Sequence, residues 1–239
     1  MILDDTTTMW LWLGFGGMML GTLALLSFWD KFREEHKYHV ILALMVTSIA
    51  AAAYYSMASG QGVMMFGDKT VFFSRYIDWV LTTPLLLLSL IFVAMPDVSD
   101  AKHSRQRLGL IGAVIFADIA MIATGAIANY STKTQDIAVW YVASCLWFLV
   151  IIWLLFGQVL QHAKAHGAKT EKAYLTLLYL LSAIWIWYPV LWLLGESGYA
   201  IVNMSNETAI YAVLDVTAKA VFGVVTLSML LKLKPSKAE

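Results

Sequence analysis

Residues 71–95 read VFFSRYIDWVLTTPLLLLSLIFVAM, one apolar run in which the only charges are Arg75 and Asp78. A bilayer core takes roughly 20 mainly apolar residues as a helix, so this stretch predicts a membrane span. Six further stretches meet the same criterion, at about 9–29, 38–58, 107–129, 137–160, 173–195 and 208–231. The connections between them are short, and most carry polar residues, Gly or Pro. The chain therefore reads as an all-α membrane protein, a bundle of seven transmembrane helices forming a single domain over residues 1–239.

Composition agrees. Of 239 residues, 60% are hydrophobic and 13% charged, whereas a soluble domain is about a quarter charged. Net charge is zero and no basic block is present, so no nucleic acid is expected as a partner. Membrane lipid is. The single cysteine, Cys145, excludes a disulfide framework and a thiolate metal site, and reads as a small core residue. The N-terminus begins acidic, with Asp4 and Asp5, where a secretory signal begins positive. The first apolar stretch is expected to remain as a span.

Basic residues orient the bundle. One set of helix ends carries Lys31, Arg33, Lys37, Lys102, Arg105, Arg107, Lys164, Lys169, Lys172, Lys232, Lys234 and Lys237, and the other only Lys69 and Lys133. This asymmetry predicts an N-terminus outside and a C-terminus in the cytoplasm.

Ionisable residues inside a span are costly and point to function. Here they are Arg75, Asp78, Asp118, Asp215 and Lys219. Arg75 and Asp78 are three residues apart, and Asp215 and Lys219 four apart, so each pair shares a helix face. Asp78, Thr82 and Ser89 make one face of the third helix polar. A structural ion pair between Lys219 and Asp215 would account for those two equally well. The surplus carboxylate favours another reading: a buried lysine can condense with an aldehyde, leaving a fixed cation that needs counterions.

Three segments carry a resemblance. Arg75-Tyr76-Ile77-Asp78-Trp79-Val80-Leu81-Thr82-Thr83-Pro84 resembles the third-helix signature of microbial (type 1) rhodopsins. Leu214-Asp215-Val216-Thr217-Ala218-Lys219 is similar to their retinal-attachment segment, and Trp185 to Trp192 to their sixth-helix aromatic wall. The resemblance covers all seven spans and is nearest to bacteriorhodopsin- and proteorhodopsin-like proton pumps, here with Asp-Thr-Ser in the third helix. It implies all-trans retinal bound to Lys219 as a protonated Schiff base. Asp78 would be the primary counterion and proton acceptor, Asp215 the second counterion, with Arg75 just outside both and Thr82 beside Asp78. Trp79, Trp185, Tyr188 and Trp192 would enclose the polyene, with Met121, Gly125, Tyr141 and Ser144 near the ring. Tyr54 would reach toward Asp215, and Asp118 would be an unpaired, neutral structural acid.

The chain departs from that pattern at three places. The position eleven residues past Asp78, an acid that returns the proton in those pumps, is Ser89, which cannot store one. Ala53 stands where proteorhodopsin-like pumps have a histidine. Glu207 matches a proton-release glutamate, but the companion position is Ser197, with Glu196 one residue early, so a solvated loop acid remains an alternative for Glu207. His39 is a candidate replacement donor, although an interface position like that of His36 explains it more simply. The resemblance implies outward light-driven proton transport in the plasma membrane of a microbe, with slow reprotonation, and an expected homo-oligomer. A photosensor signalling to a membrane partner is the alternative, ahead of an inward proton pump. The tail after Leu231 is too short for a catalytic domain, so no enzyme activity is expected.

Overall fold

The computed structural model describes residues 3–67, 69–96 and 104–233. Lys102, Lys234 and Lys237, counted above for orientation, lie outside the described residues. Among the described residues, seven helices are long and apolar enough to cross a membrane: α1 (Asp5–Lys31), α2 (Tyr38–Ala58), α3 (Phe73–Ala94), α4 (Arg107–Asn129), α5 (Thr134–Ala165), α6 (Ala168–Leu194) and α7 (Met204–Leu233). Each packs on its neighbour in sequence, and α7 returns to α1. Large apolar side chains such as Leu20, Phe116 and Trp153 are more than half exposed around this ring. That is a surface for lipid, not water. The protein is a multi-pass membrane protein.

Several helices are longer than the apolar stretches predict. α1 starts four residues early, α5 ends at Ala165 and α7 starts at Met204. Hydropathy detects only the part in hydrocarbon, while polar end turns are held by caps. Asp4 accepts from the Thr7 amide at 2.8 Å, and the Thr7 hydroxyl and amide together hold its carboxyl below the usual carboxylate range. Asn203 caps α7 by accepting from the Asn206 amide at 2.9 Å. Arg107 is buried at the start of α4, the helix end at which the sequence placed it.

The connection between α2 and α3 holds a short antiparallel hairpin, β1 (Met64–Phe66) and β2 (Lys69–Val71), which the sequence reading did not anticipate. Phe66 meets Tyr130 edge to face, ring centroids 5.5 Å apart, and so leans the hairpin over the end of α4.

Small residues let the helices approach closely. A Cβ at Gly14 would collide with the Tyr54 ring, and one at Gly21 with Ala220 of α7. α3 is the most enclosed helix, with 61% of its apolar window buried against 28% and 22% for α4 and α5.

Three helices are locally irregular. In α6, regular helix breaks at Ile186, where Pro189 removes the N–H that would bond the Trp185 carbonyl. α5 and α7 each contain a π turn, at Leu155–Val159 and Thr217–Val221. Such turns mark places where a helix shifts the register of its faces. The α5 turn is tied down from α6: the Leu155 carbonyl accepts both the Leu160 amide and, at 2.8 Å, the Tyr174 hydroxyl. Tyr174→Phe should lower unfolding stability by about 1 kcal/mol, one net hydrogen bond. Denaturant titration of the purified protein in micelles checks this, and an unchanged midpoint would show the bond to be unimportant.

Candidate retinal site

Lys219 sits inside the π turn of α7, 2% exposed. Its Nζ donates to Asp78 Oδ2 at 2.5 Å and to Asp215 Oδ1 at 2.8 Å. Asp215 also accepts from the Tyr54 hydroxyl at 2.7 Å and the Tyr188 hydroxyl at 2.9 Å. One carboxylate is thus fully dressed by protein. The other is not: Asp78 Oδ1 is buried with no protein partner among the described residues. Thr82 is fully buried and donates to the Asp78 carbonyl at 2.8 Å.

A cavity runs from Lys219 toward α5. All nine predicted lining residues are on its wall: Trp79, Met121, Gly125, Tyr141, Ser144, Trp185, Tyr188, Trp192 and Lys219 itself. Tyr54 is not, because it reaches Asp215 from behind the wall. The sequence reading missed Tyr76, Thr83, Ile122, Phe148, Pro189 and Ala218, apolar or satisfied residues that carry no signal of their own. It also placed Cys145 in the core, whereas the structure places it on the cavity wall.

Aromatic rings shape this cavity. Tyr141 stacks on Trp192 at 5.0 Å and 18°, and Trp79 stands edge-on to Tyr188 at 5.5 Å. Hydrogen bonds lock them: Trp192 Nε1 donates to the Tyr76 hydroxyl at 2.9 Å, and Tyr141 donates to the Pro189 carbonyl at 3.0 Å. At the α5 end, Ser144 donates to the Met121 carbonyl at 2.8 Å, and a Cβ at Gly125 would press to 3.2 Å from its Oγ. A primary amine at one end of a slot walled by Trp and Tyr fits a long apolar aldehyde.

Beyond Asp78 lies a second, polar cavity lined by Arg75, Tyr76, Asn129, Glu196, Ser197, Glu207 and Tyr211. Arg75 lies over the Tyr211 ring at 4.3 Å, and its Nη1 is 3.8 Å from Glu207 Oε1. Glu207 is only 6% exposed and accepts from the Glu196 amide at 2.9 Å, so it is not a solvated loop acid. The Glu196 residue itself is exposed, and Ser197 donates instead to Asn129 Oδ1 at 2.6 Å. Two other expectations need correction. Asp118 is not unpaired, because the Thr83 hydroxyl lies 2.8 Å from its Oδ2. His39 is not at an exposed interface: it is buried at the start of α2, 4.2 Å from the Tyr38 ring. Ser89 is buried on α3, as its place on the polar face required.

The profile of a family described as bacteriorhodopsin-like protein matches residues 5–233. The chain belongs to that family. A bacteriorhodopsin of Haloterrigena sp. (strain arg-4) is 36% identical over 92% of this chain and 86% of its own length. Among solved structures, the thermophilic rhodopsin from Rubrobacter xylanophilus superposes with a TM-score of 0.88 at 35% identity, covering 93% of this chain and 95% of that one. A light-driven proton pump of Coccomyxa subellipsoidea does so with a TM-score of 0.84 at 31% identity, covering 95% and 98%. As a member of the bacteriorhodopsin-like family, the chain is a microbial (type 1) rhodopsin, a retinal-based, light-driven membrane protein.

The geometry around Asp215 is open to a direct test. Tyr54→Phe deletes one hydrogen bond to a buried charge while leaving the cavity wall untouched. The loss should cost about 2 kcal/mol of stability, the value typical of a bond to a charged group. Thermal or denaturant unfolding measures it, and a loss no larger than that of an exposed tyrosine would overturn the assignment.

Proposed function

We propose that this rhodopsin is an outward proton pump of the microbial plasma membrane, with all-trans retinal on Lys219, Asp78 as proton acceptor and Asp215 as standing counterion. The observation that carries the proposal is Lys219 Nζ held between two carboxylates at the end of an aromatic slot. Retinal, joined to that nitrogen, supplies light absorption and a change of shape that redirects its N–H. Everything else is work for the protein. Asp78 is the nearer carboxylate and the one with a free oxygen. Asp215, already accepting from two tyrosines, has its charge spread over more donors and competes poorly for the proton.

From Asp78 the way out is polar. Arg75 Nε and the Tyr211 hydroxyl are buried without protein partners among the described residues, and both line the cavity that ends at Glu207. Polar groups of this kind are satisfied by bridging water, which also conducts protons. Within this cluster two cations, Lys219 and Arg75, face three carboxylates, Asp78, Asp215 and Glu207. A proton passing outward meets the carboxylate of Asp78 and then that of Glu207, with Arg75 and Tyr211 between them. The loop-charge asymmetry supports Glu207 facing the outside, and the Coccomyxa relative is itself named a light-driven proton pump.

The return step differs. Ser89 can relay a hydrogen bond but cannot deliver a stored proton. Recovery of the Lys219 proton then draws on the cytoplasm, so it is slow and becomes slower as pH rises. A homo-oligomer and a single domain over residues 1–239 remain part of the proposal.

Illuminated, retinal-fed cells should acidify their medium, and a protonophore should abolish the signal. No acidification from well-expressed pigment would favour the photosensor, and alkalinisation the inward pump. Lys219→Ala should remove the visible chromophore; a normal spectrum from that variant would sink the attachment site. Asp78→Asn should shift absorption to the red and stop transport. Its charge stabilises the ground state, where the positive charge sits on the nitrogen, more than the excited state. An unchanged absorption maximum would assign the role to another group.

A further inference from the structure

A helical threonine in an apolar setting ordinarily hides its hydroxyl by donating to the carbonyl four residues back. Seven threonines of this protein do so: Thr22, Thr47, Thr82, Thr83, Thr124, Thr176 and Thr217. Thr226 does not. It is 1% exposed, inside the bundle, and its Oγ1 has no hydrogen-bond partner among the described residues. A buried hydroxyl left unsatisfied costs about 1–3 kcal/mol, and its own helix offers a remedy that it declines. The hydroxyl is therefore turned toward something other than protein.

Its place says what. Thr226 lies seven residues past Lys219 on α7, two helical turns or roughly 10 Å toward the C-terminal end. Phe222, one turn before it, is buried in the large apolar cluster with Leu86, Leu87 and Leu90 of α3. Leu227, just after it, belongs to a separate apolar cluster with Leu25, Phe28 and Ala43. Thr226 is thus a buried hydroxyl flanked along α7 by members of two apolar clusters, on the side of Lys219 where Ser89 replaces an acid. By contrast, the nearby hydroxyls of Thr22 and Thr47 bond each other at 2.8 Å as well as their own helices, and serve as glue between α1 and α2.

We propose that Thr226 is a relay for the returning proton: it holds water within this apolar half of the bundle and passes hydrogen bonds toward Lys219. Because this protein stores no proton at residue 89, water must carry it through, and Thr226 is the polar foothold that makes the crossing possible. The proposal rests on the reading of Lys219 as the nitrogen that loses and regains the proton.

The test compares Thr226→Val, which keeps shape and removes the hydroxyl, with Thr226→Ser, which restores it. Three quantities are read on each pigment: the absorption maximum, the thermal bleaching temperature, and the time for Lys219 to regain its proton, followed by violet absorbance after a flash. The valine variant should recover about five-fold more slowly, roughly the loss of one hydrogen bond. Its absorption maximum should be unchanged and its bleaching temperature no lower, since no protein partner is lost. The serine variant should recover near the wild-type rate. Wild-type recovery in the valine variant would overturn the proposal, as would equal slowing in both variants or slowing accompanied by a lower bleaching temperature. Absence of any violet signal in the wild type would overturn the underlying reading of Lys219, and this proposal with it.

Discussion

The ion cluster at Lys219 is the constraint around which the rest of the structure is arranged. An ammonium buried at the centre of a membrane bundle is tolerated only if its charge is matched and its donors are used. Asp78 matches it from α3, and Asp215 from one turn earlier on α7 itself. Asp215 then needs Tyr54 and Tyr188, and Tyr54 can stand where it does only because residue 14 of α1 is glycine. The π turn of α7 lies at the same height. Helices α1, α2, α3, α6 and α7 are thereby fixed to one another through a single nitrogen.

The two halves of the bundle on either side of that nitrogen are built differently. Toward Glu207 the interior is polar, with an arginine, two tyrosines and two glutamates around one cavity. Toward the C-terminus it is dominated by a continuous apolar cluster of leucines, with Phe222 and Trp185. A charge released from Lys219 finds dipoles and counterions in one direction and a low-dielectric barrier in the other. At an effective dielectric constant near 4 a unit charge is heavily penalised, so the difference between the halves is large.

Much of this was legible because charge in a membrane is rare. Five ionisable residues inside seven apolar stretches left few ways to pair them; helical spacing put Asp215 beside Lys219, and the family resemblance implied Asp78 as the other partner. The fold followed from hydropathy for a similar reason: a bilayer admits few solutions. What escaped was set by contacts between distant segments. Glu207 was noticed, yet its burial depends on residues 195–203 folding back so that the Glu196 amide meets it. The partnership of Thr83 with Asp118 joins α3 to α4 across 35 residues and has no local pattern. Cys145 sits one residue past Ser144, and only the rotation of α5 decides whether such a residue meets cavity or neighbour. The π turns in α5 and α7 share no sequence motif to announce them: the first contains Gly157, the second neither proline nor glycine. The absent partner of Thr226 is legible only from coordinates, because every other threonine in the comparison looks the same in sequence.

In the proposed pump, direction and speed of transport reside in different parts of the molecule. Direction depends on where the first acceptor lies relative to Lys219 and on which side offers further acceptors. Both are fixed on the Glu207 side, by Asp78, Arg75 and the residues around them. Speed depends on how the nitrogen is refilled, which concerns the apolar half. Replacing a donor acid by Ser89 would change the second without touching the first, since Ser89 is not among the residues lining the Glu207-side cavity. The separation also explains why a serine can be tolerated there. Removing an acid from an apolar region relieves a desolvation penalty, so in the proposed pump a serine there would favour stability at the expense of rate. The ion cluster that gives the proton its direction is left as it was.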